Sequence, residues 1–171
     1  DPRAPPQDVW DRMSEAERAQ VVASLPTEVP LSLCPPEGDQ HLDAKIDARR
    51  ALRDFFGRTG RKVYVSSELN VYYPNEPRFS PDVFAVLDAE PHDRTSWVVE
   101  KESKGLDFVI EVHWAGAHRK DHETNVERYA RLGIHEYFVF DRARLSLRGF
   151  RLPDDAKAGR PRRYQPILPQ Q

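Results

Sequence analysis

The sequence predicts an α/β domain, a mixed β-sheet flanked by helices and preceded by a helical, proline-rich arm. Three observations carry that prediction. The apolar spacing is helical up to about residue 60 and alternating after it. A strand, a helix and a second strand fill residues 107–141, enough chain for a parallel crossover. The 15 prolines fall in residues 1–36, 74–91 and 153–169, which leaves residues 92–152 free for regular structure.

Taken in order, residues 8–24 place Val9, Trp10, Met13, Ala16, Val21 and Val22 partly on one face and predict one helix, closed by Pro26 and Pro30. Residues 41–58 predict a second helix, with Leu42, Ile46, Ala48, Leu52, Phe55 and Phe56 as its apolar side and Gly57 and Gly60 at its end. Residues 62–73, rich in Val and Tyr, predict a strand, and residues 82–87 (DVFAVL) a second. Residues 97–99 suit a short third strand, and residues 107–113 (DFVIEVH) a buried one. Residues 120–132 predict a helix with Val126, Tyr129, Ala130 and Leu132 apolar and Gly133 just past its end. Residues 136–141 and 145–152 predict the last two strands. The expected divisions are an arm over 1–37 with one helix, a domain over 38–152, and a proline- and arginine-rich tail over 153–171.

The formal net charge of −2 counts against a nucleic-acid binder, since such domains are often basic. By segment the charge is −6 over residues 1–44, +5 over 45–62, −7 over 63–141 and +6 over 142–163. Charge is therefore segregated, not absent. One cysteine, Cys34, excludes an internal disulfide and a cysteine-cluster zinc site. No apolar run approaches the roughly 18 residues of a membrane span, and the amino terminus lacks the basic and apolar stretches of a signal peptide. These features predict a cytoplasmic protein.

Two acidic residues stand where apolar ones are expected. Asp82 opens an apolar strand after Pro81, and Glu111 interrupts the run DFVIEVH. Burying a lone carboxylate is costly unless it is paired or binds a metal. On neighbouring strands the two could face one point, and two carboxylates suit Mg²⁺, a hard ion that takes oxygen ligands and keeps several waters. The plainer alternative is a turn cap at Asp82 and a solvated strand end at Glu111. His113, two residues after Glu111, leaves the strand on the same face and could act as a base on water. It could equally be a hydrogen-bonded strand-end histidine.

The stretches SPDVFAVL (80–87), DFVIEVHW (107–114) and RKDHETNVERYARLGIHEYFVFD (119–141) resemble the restriction-endonuclease-like PD-(D/E)xK superfamily, and within it the Uma2 family. His41 before the second helix fits the same pattern. The resemblance covers roughly residues 38–152 and leads one to expect chain beyond the final PILPQQ. It implies a restriction-endonuclease-like mixed sheet and an Mg²⁺-dependent endonuclease or nickase acting on DNA, with Mn²⁺ as an alternative ion. Asp82 matches the motif aspartate and Glu111 the motif glutamate. The sequence departs from the pattern at the lysine. The family carries it on the following helix, four residues before the tyrosine of YAR, and here that position is Asn125. Asn125 has no charge, so Lys120 near the start of that helix is the expected cation, with His113 and Asn125 positioning water. A catalytically weak or inactive module that binds nucleic acid or a protein partner is the alternative. Glu68, in SSELNVYY, is an additional ligand candidate.

His118 and His122, four apart, could with His113 form a zinc site, although HRKDH lacks the HExxH signature and such pairs are common on exposed helices. Lys45, Arg49 and Arg53 in one basic segment, and Arg148 and Arg151 in the other, are expected to contact phosphates on either side of the acidic centre. Local ion pairs on solvated faces are the ordinary use of such charges. Cutting both strands usually takes two sites, which makes a homodimer the expected assembly, with DNA as the partner and no membrane.

Overall fold

The structure, a computed structural model, describes residues 2–34, 38–113, 120–153 and 161–168, with the side chains of 120–122 outside the description. The arm holds two helices, α1 (Gln7–Arg12) and α2 (Glu15–Ser24), where the apolar spacing suggests one. The break lies at Ser14. Its hydroxyl accepts the Glu17 N–H while its own N–H donates to the Glu17 carboxylate, a capping box that starts a fresh helix. The S-x-x-E spacing was present in SEAE and outweighs the continuous apolar pattern. Helix α3 (Asp39–Thr59) runs 21 residues and ends on Gly60, whose φ of 68° is the left-handed conformation suited to glycine.

The expected strand at residues 62–73 divides into β1 (Val63–Ser66) and β2 (Val71–Tyr72). Between them Glu68 adopts φ 52°, a left-handed turn costly for a residue with a Cβ, and its N–H donates to Pro81 O at 3.0 Å. Then come β3 (Val83–Leu87), β4 (Trp97–Val98), a one-turn helix α4 (Val99–Glu102) and β5 (Phe108–His113). Helix α5 (Lys120–Leu132) leads into β6 (Glu136–Asp141), β7 (Ser146–Arg151) and β8 (Gln165–Ile167).

Six strands form one mixed sheet in the order β1-β3-β5-β6-β7-β8, and β2 pairs with β4 in a separate parallel ribbon. Only β5 and β6 are parallel in the large sheet, as the crossover through α5 requires. β8 was not expected. It comes from the stretch predicted as a tail, and it carries Pro166, which an edge strand tolerates because no further ladder depends on its missing N–H.

The sheet separates two apolar layers. On one side Ala48 and Leu52 of α3 pack on Val65, Val83, Ala85, Phe108 and Ile110. On the other, α5 and the β2–β4 ribbon enclose Tyr64, Phe84, Trp97, Val109, Tyr129, Tyr137 and Val139. Trp97 is fully buried, stacked at 5.1 Å on Tyr64. No helix among the described residues is long and apolar enough to cross a membrane.

The arm is tied to the ribbon at Asn70 and Tyr72. Asn70, fully buried, donates from Nδ2 to Pro26 O at 3.1 Å and to Glu28 O at 2.9 Å, while the Tyr72 hydroxyl donates to Pro26 O at 2.7 Å. Ala4 and Leu25 close a small core against Tyr72 and Val98. An Asn70→Ala variant removes two of the bonds to these carbonyls and leaves Pro26 O to the Tyr72 hydroxyl and Glu28 O to the Arg78 guanidinium. Urea denaturation should show a loss of about 1–3 kcal/mol, and limited proteolysis should cut near residues 26–28 faster. An unchanged midpoint and cleavage rate would show that the arm is held without Asn70, by its apolar contacts and its other bonds.

Candidate active site

Asp82 and Glu111 meet because of the strand register. Val83 pairs with Ile110 in the antiparallel β3–β5 ladder, so one step further Asp82 stands opposite Glu111. Side chains take over from the backbone there. Asp82 Oδ2 accepts the Val112 N–H at 2.7 Å, and the Asp82 N–H donates to Glu111 Oε2 at 3.3 Å. The Asp82 backbone thus fixes the Glu111 carboxylate, and the backbone of Val112, next in the chain after Glu111, fixes that of Asp82.

The surroundings of the two carboxylates differ. Glu111 lies in the buried layer and accepts the Tyr129 hydroxyl at 2.6 Å. Burial, and after it the charge of Asp82, pushes the Glu111 carboxyl well above the ordinary carboxylate range. Burial and the proximity of Glu111 raise Tyr129 as well, so the phenol keeps its proton and donates it. Asp82 instead faces α3. His41 Nε2 lies 3.6 Å from Asp82 Oδ2, and Lys45 Nζ lies 3.8 Å from Asp82 Oδ1 while pairing with Glu68. His41 and Lys45 are four apart, one above the other on the same helix face.

His113 follows Glu111 by two on β5, hence on the same face, and stands opposite Asp141 in the register with β6. Asn125, one turn before Tyr129 on α5, lies beside the buried Tyr137 hydroxyl. Lys120 opens α5, but its side chain lies outside the described residues, as do that of His122 and the whole of His118. The zinc constellation therefore falls outside the description. Among the described residues no group of three His, Cys, Asp or Glu side chains is arranged to hold a metal ion. Glu68 turns to Lys45.

The basic residues divide. Lys45, expected to contact phosphates from a basic rim, is 2 % exposed and turned to the carboxylates. Arg49, Arg50 and Arg53 line a cleft of about 450 Å³ beside it, together with Ser67 and Glu68. Arg53 also donates to Val65 O at 3.0 Å. Arg148 pairs with Val139, which pairs with Glu111, so it stands in the same cross-strand row on the same face, about 10 Å away across two strand spacings. Arg151 is on the opposite face, ion-paired to Glu136 with its Nε 2.7 Å from Oε1. Tyr129 reads in the sequence as an apolar helix residue, and only its place one turn after Asn125 hints at the inward face. His41 and Lys45 were legible as a four-residue pair, but their aim at Asp82 was not.

Glu111 gives a pH dependence of definite sign. Its folded carboxyl holds a proton above the pH at which the unfolded one, with a pKa of about 4.3, releases it. The folded state then binds more protons than the unfolded one, so this group's contribution to stability falls as pH rises through that window. In metal-free buffer, the Glu111→Gln variant should gain stability over the wild type progressively from pH 4.5 upward, about level at the acid end, as read by urea unfolding across pH. A pH-independent difference would place the cost elsewhere than in ionisation.

Comparison with known proteins follows the same lines. No curated protein matches the chain. A family model does, over residues 25–170: Uma2, described as "Putative restriction endonuclease". The mixed sheet, with its acidic pair at the ends of β3 and β5, carries the restriction-endonuclease-like organisation expected from the motifs, and the chain belongs to the Uma2 family.

Proposed function

We propose that this chain is a divalent-metal-dependent endonuclease acting on DNA. The observation that carries the reading is the opposed pair Asp82 and Glu111, their carboxylates held by the Val112 and Asp82 N–H groups at the end of a buried ladder. Two converging carboxylates, one forced up by burial and like charge, form a donor set that a hard cation would relieve. All its donors are oxygens, and Mg²⁺ binds through one or two carboxylates with water and phosphate completing its shell. Asp82 and Glu111 would hold it. Mn²⁺ suits the same donors. Such an ion, when bound, makes water more acidic and neutralises charge on a phosphate.

The chain's own residues do the rest. The cleft along α3 lines up Arg49, Arg50 and Arg53 outside the carboxylates, where they can neutralise phosphates flanking the reacting one. Arg148 supplies a cation on the other side of Glu111 in the same row. Tyr129 holds Glu111 in one orientation. His113, on the face of Glu111, is the candidate to take the proton of the attacking water. Water forms the new bond to phosphorus, the bond to the departing sugar oxygen breaks, and that oxygen is protonated. A single copy would nick one strand, and cutting both would take two copies. A DNA substrate and a single cysteine fit a cytoplasmic setting.

A second reading follows from Asn125, which lies beside Tyr137 and brings no charge to the site. The chain would then bind DNA without cutting it. Supercoiled plasmid with Mg²⁺ or Mn²⁺ decides between them. Nicked or linear product should form with the wild type and drop by at least about 10²-fold in Asp82→Ala and Glu111→Ala. Binding in Ca²⁺ with no product in any metal would support the second reading, and cutting that survives both substitutions would sink the first.

A further inference from the structure

We propose that Lys45 on α3 supplies the cation that stabilises the reacting phosphate, in place of the lysine that Asn125 does not provide. The inference rests on the endonuclease reading above. Its ground is the position of the ammonium. Lys45 Nζ stands 3.8 Å from Asp82 Oδ1 and pairs with Glu68, and the side chain is 3 % exposed. A lysine serving only the solvated face of a basic helix would keep its charge in water, because removing it is costly. This one is held in the site from the opposite layer of the fold, by a helix that otherwise packs apolar residues on the far side of the sheet.

Two further features make the placement more than a counter-ion for Asp82. Lys45, Arg49 and Arg53 repeat every four residues, so they form one stripe along α3, and all three line the cleft. A phosphate backbone following that stripe reaches Lys45 last, beside Asp82. Glu68, the other partner, holds its left-handed turn through its N–H bond to Pro81 O, the residue before Asp82. Backbone strain of this kind persists where the surrounding structure over-determines it, and here it sets the Lys45 partner against the motif aspartate. Glu68 is thus a positioning residue and Lys45 the group that touches substrate. When the phosphate enters, the ammonium exchanges a carboxylate oxygen for a non-bridging phosphate oxygen. No bond to lysine forms or breaks. Its charge offsets the negative charge that grows on phosphorus oxygens as water adds and the sugar oxygen leaves.

Four variants of the full chain test this: Lys45→Met, Lys45→Arg, Lys45→Met with Glu68→Gln, and Lys45→Met with Asn125→Lys. Plasmid cutting is measured beside Mn²⁺ affinity by calorimetry and DNA affinity in Ca²⁺ by fluorescence anisotropy. Lys45→Met should lose about 10²–10³-fold in cutting, the size seen on removing one charge-stabilising donor, while Mn²⁺ affinity is kept or rises. The variant that also neutralises Glu68 removes both charges of the pair, so it gives the same reading if Lys45→Met alone fails to fold. Lys45→Arg should retain part of the activity. Asn125→Lys, which restores a cation from α5, should recover cutting in the Lys45→Met background. Wild-type-like cutting in Lys45→Met overturns the inference and leaves the endonuclease reading standing. Loss of Mn²⁺ binding together with cutting, without recovery by Asn125→Lys, also overturns it, because Lys45 would then serve only the metal carboxylates. A wild type that does not cut in any metal overturns both, whether or not it binds DNA.

Discussion

The crossing of Asp82 and Glu111 at the end of the β3–β5 ladder is the constraint on which the rest of this site depends. Neither side chain is placed by its own rotamer preference alone. Asp82 completes the ladder by accepting Val112 N–H, and Glu111 does so by accepting Asp82 N–H. Two carboxylates are thereby brought together in a setting where like charges repel and water is scarce. The structure then surrounds the pair with donors: Tyr129 on the inner side, His41 and Lys45 on the outer. Removing any one leaves a carboxylate in poor company, so the cluster behaves as a unit.

That unit draws on every layer of the fold. Val109 and Tyr137 bury the sheet face on which Glu111 sits, and α5 brings Tyr129 down onto it. From the other face, Ala48 and Leu52 seat α3, and their packing fixes the height at which Lys45 meets Asp82. The turn at Glu68 joins β1 to β2, and β2 is in turn where the arm attaches through Asn70 and Tyr72. An acidic site framed by a basic stripe is thus consistent with a net charge near zero: the opposing charges were placed on different elements and folded toward one another.

Much of this was legible in the sequence, for physical reasons that also mark the limit. The strand–helix–strand over 107–141 came through cleanly because its apolar period is strong and no proline intrudes. Asp82 stood out because it opens an apolar strand, and Glu111 because it interrupts an apolar run. What failed was local chemistry hidden under a longer pattern. The capping box at Ser14 divided one apparent helix, and the left-handed Glu68 divided one apparent strand. The role of Lys45 was out of reach because its surroundings come from residues 23 and 37 positions away, and a basic segment looks the same whether its lysine is in water or against Asp82. Tyr129 was hidden by being both apolar in period and polar in function.

The strand β8 has a bearing on how copies of this chain can associate. A sheet grows by offering N–H and C=O groups at its rim, and an exposed rim invites another chain to pair. Here the outermost strand is three residues long and has a proline at its centre, which offers no N–H to a newcomer. At the opposite rim, Arg53 already occupies the Val65 carbonyl of β1. Among the described residues both borders of the six-stranded sheet are blunted. A second chain would therefore find few backbone groups to pair with at either rim, and the sheet closes on its own elements.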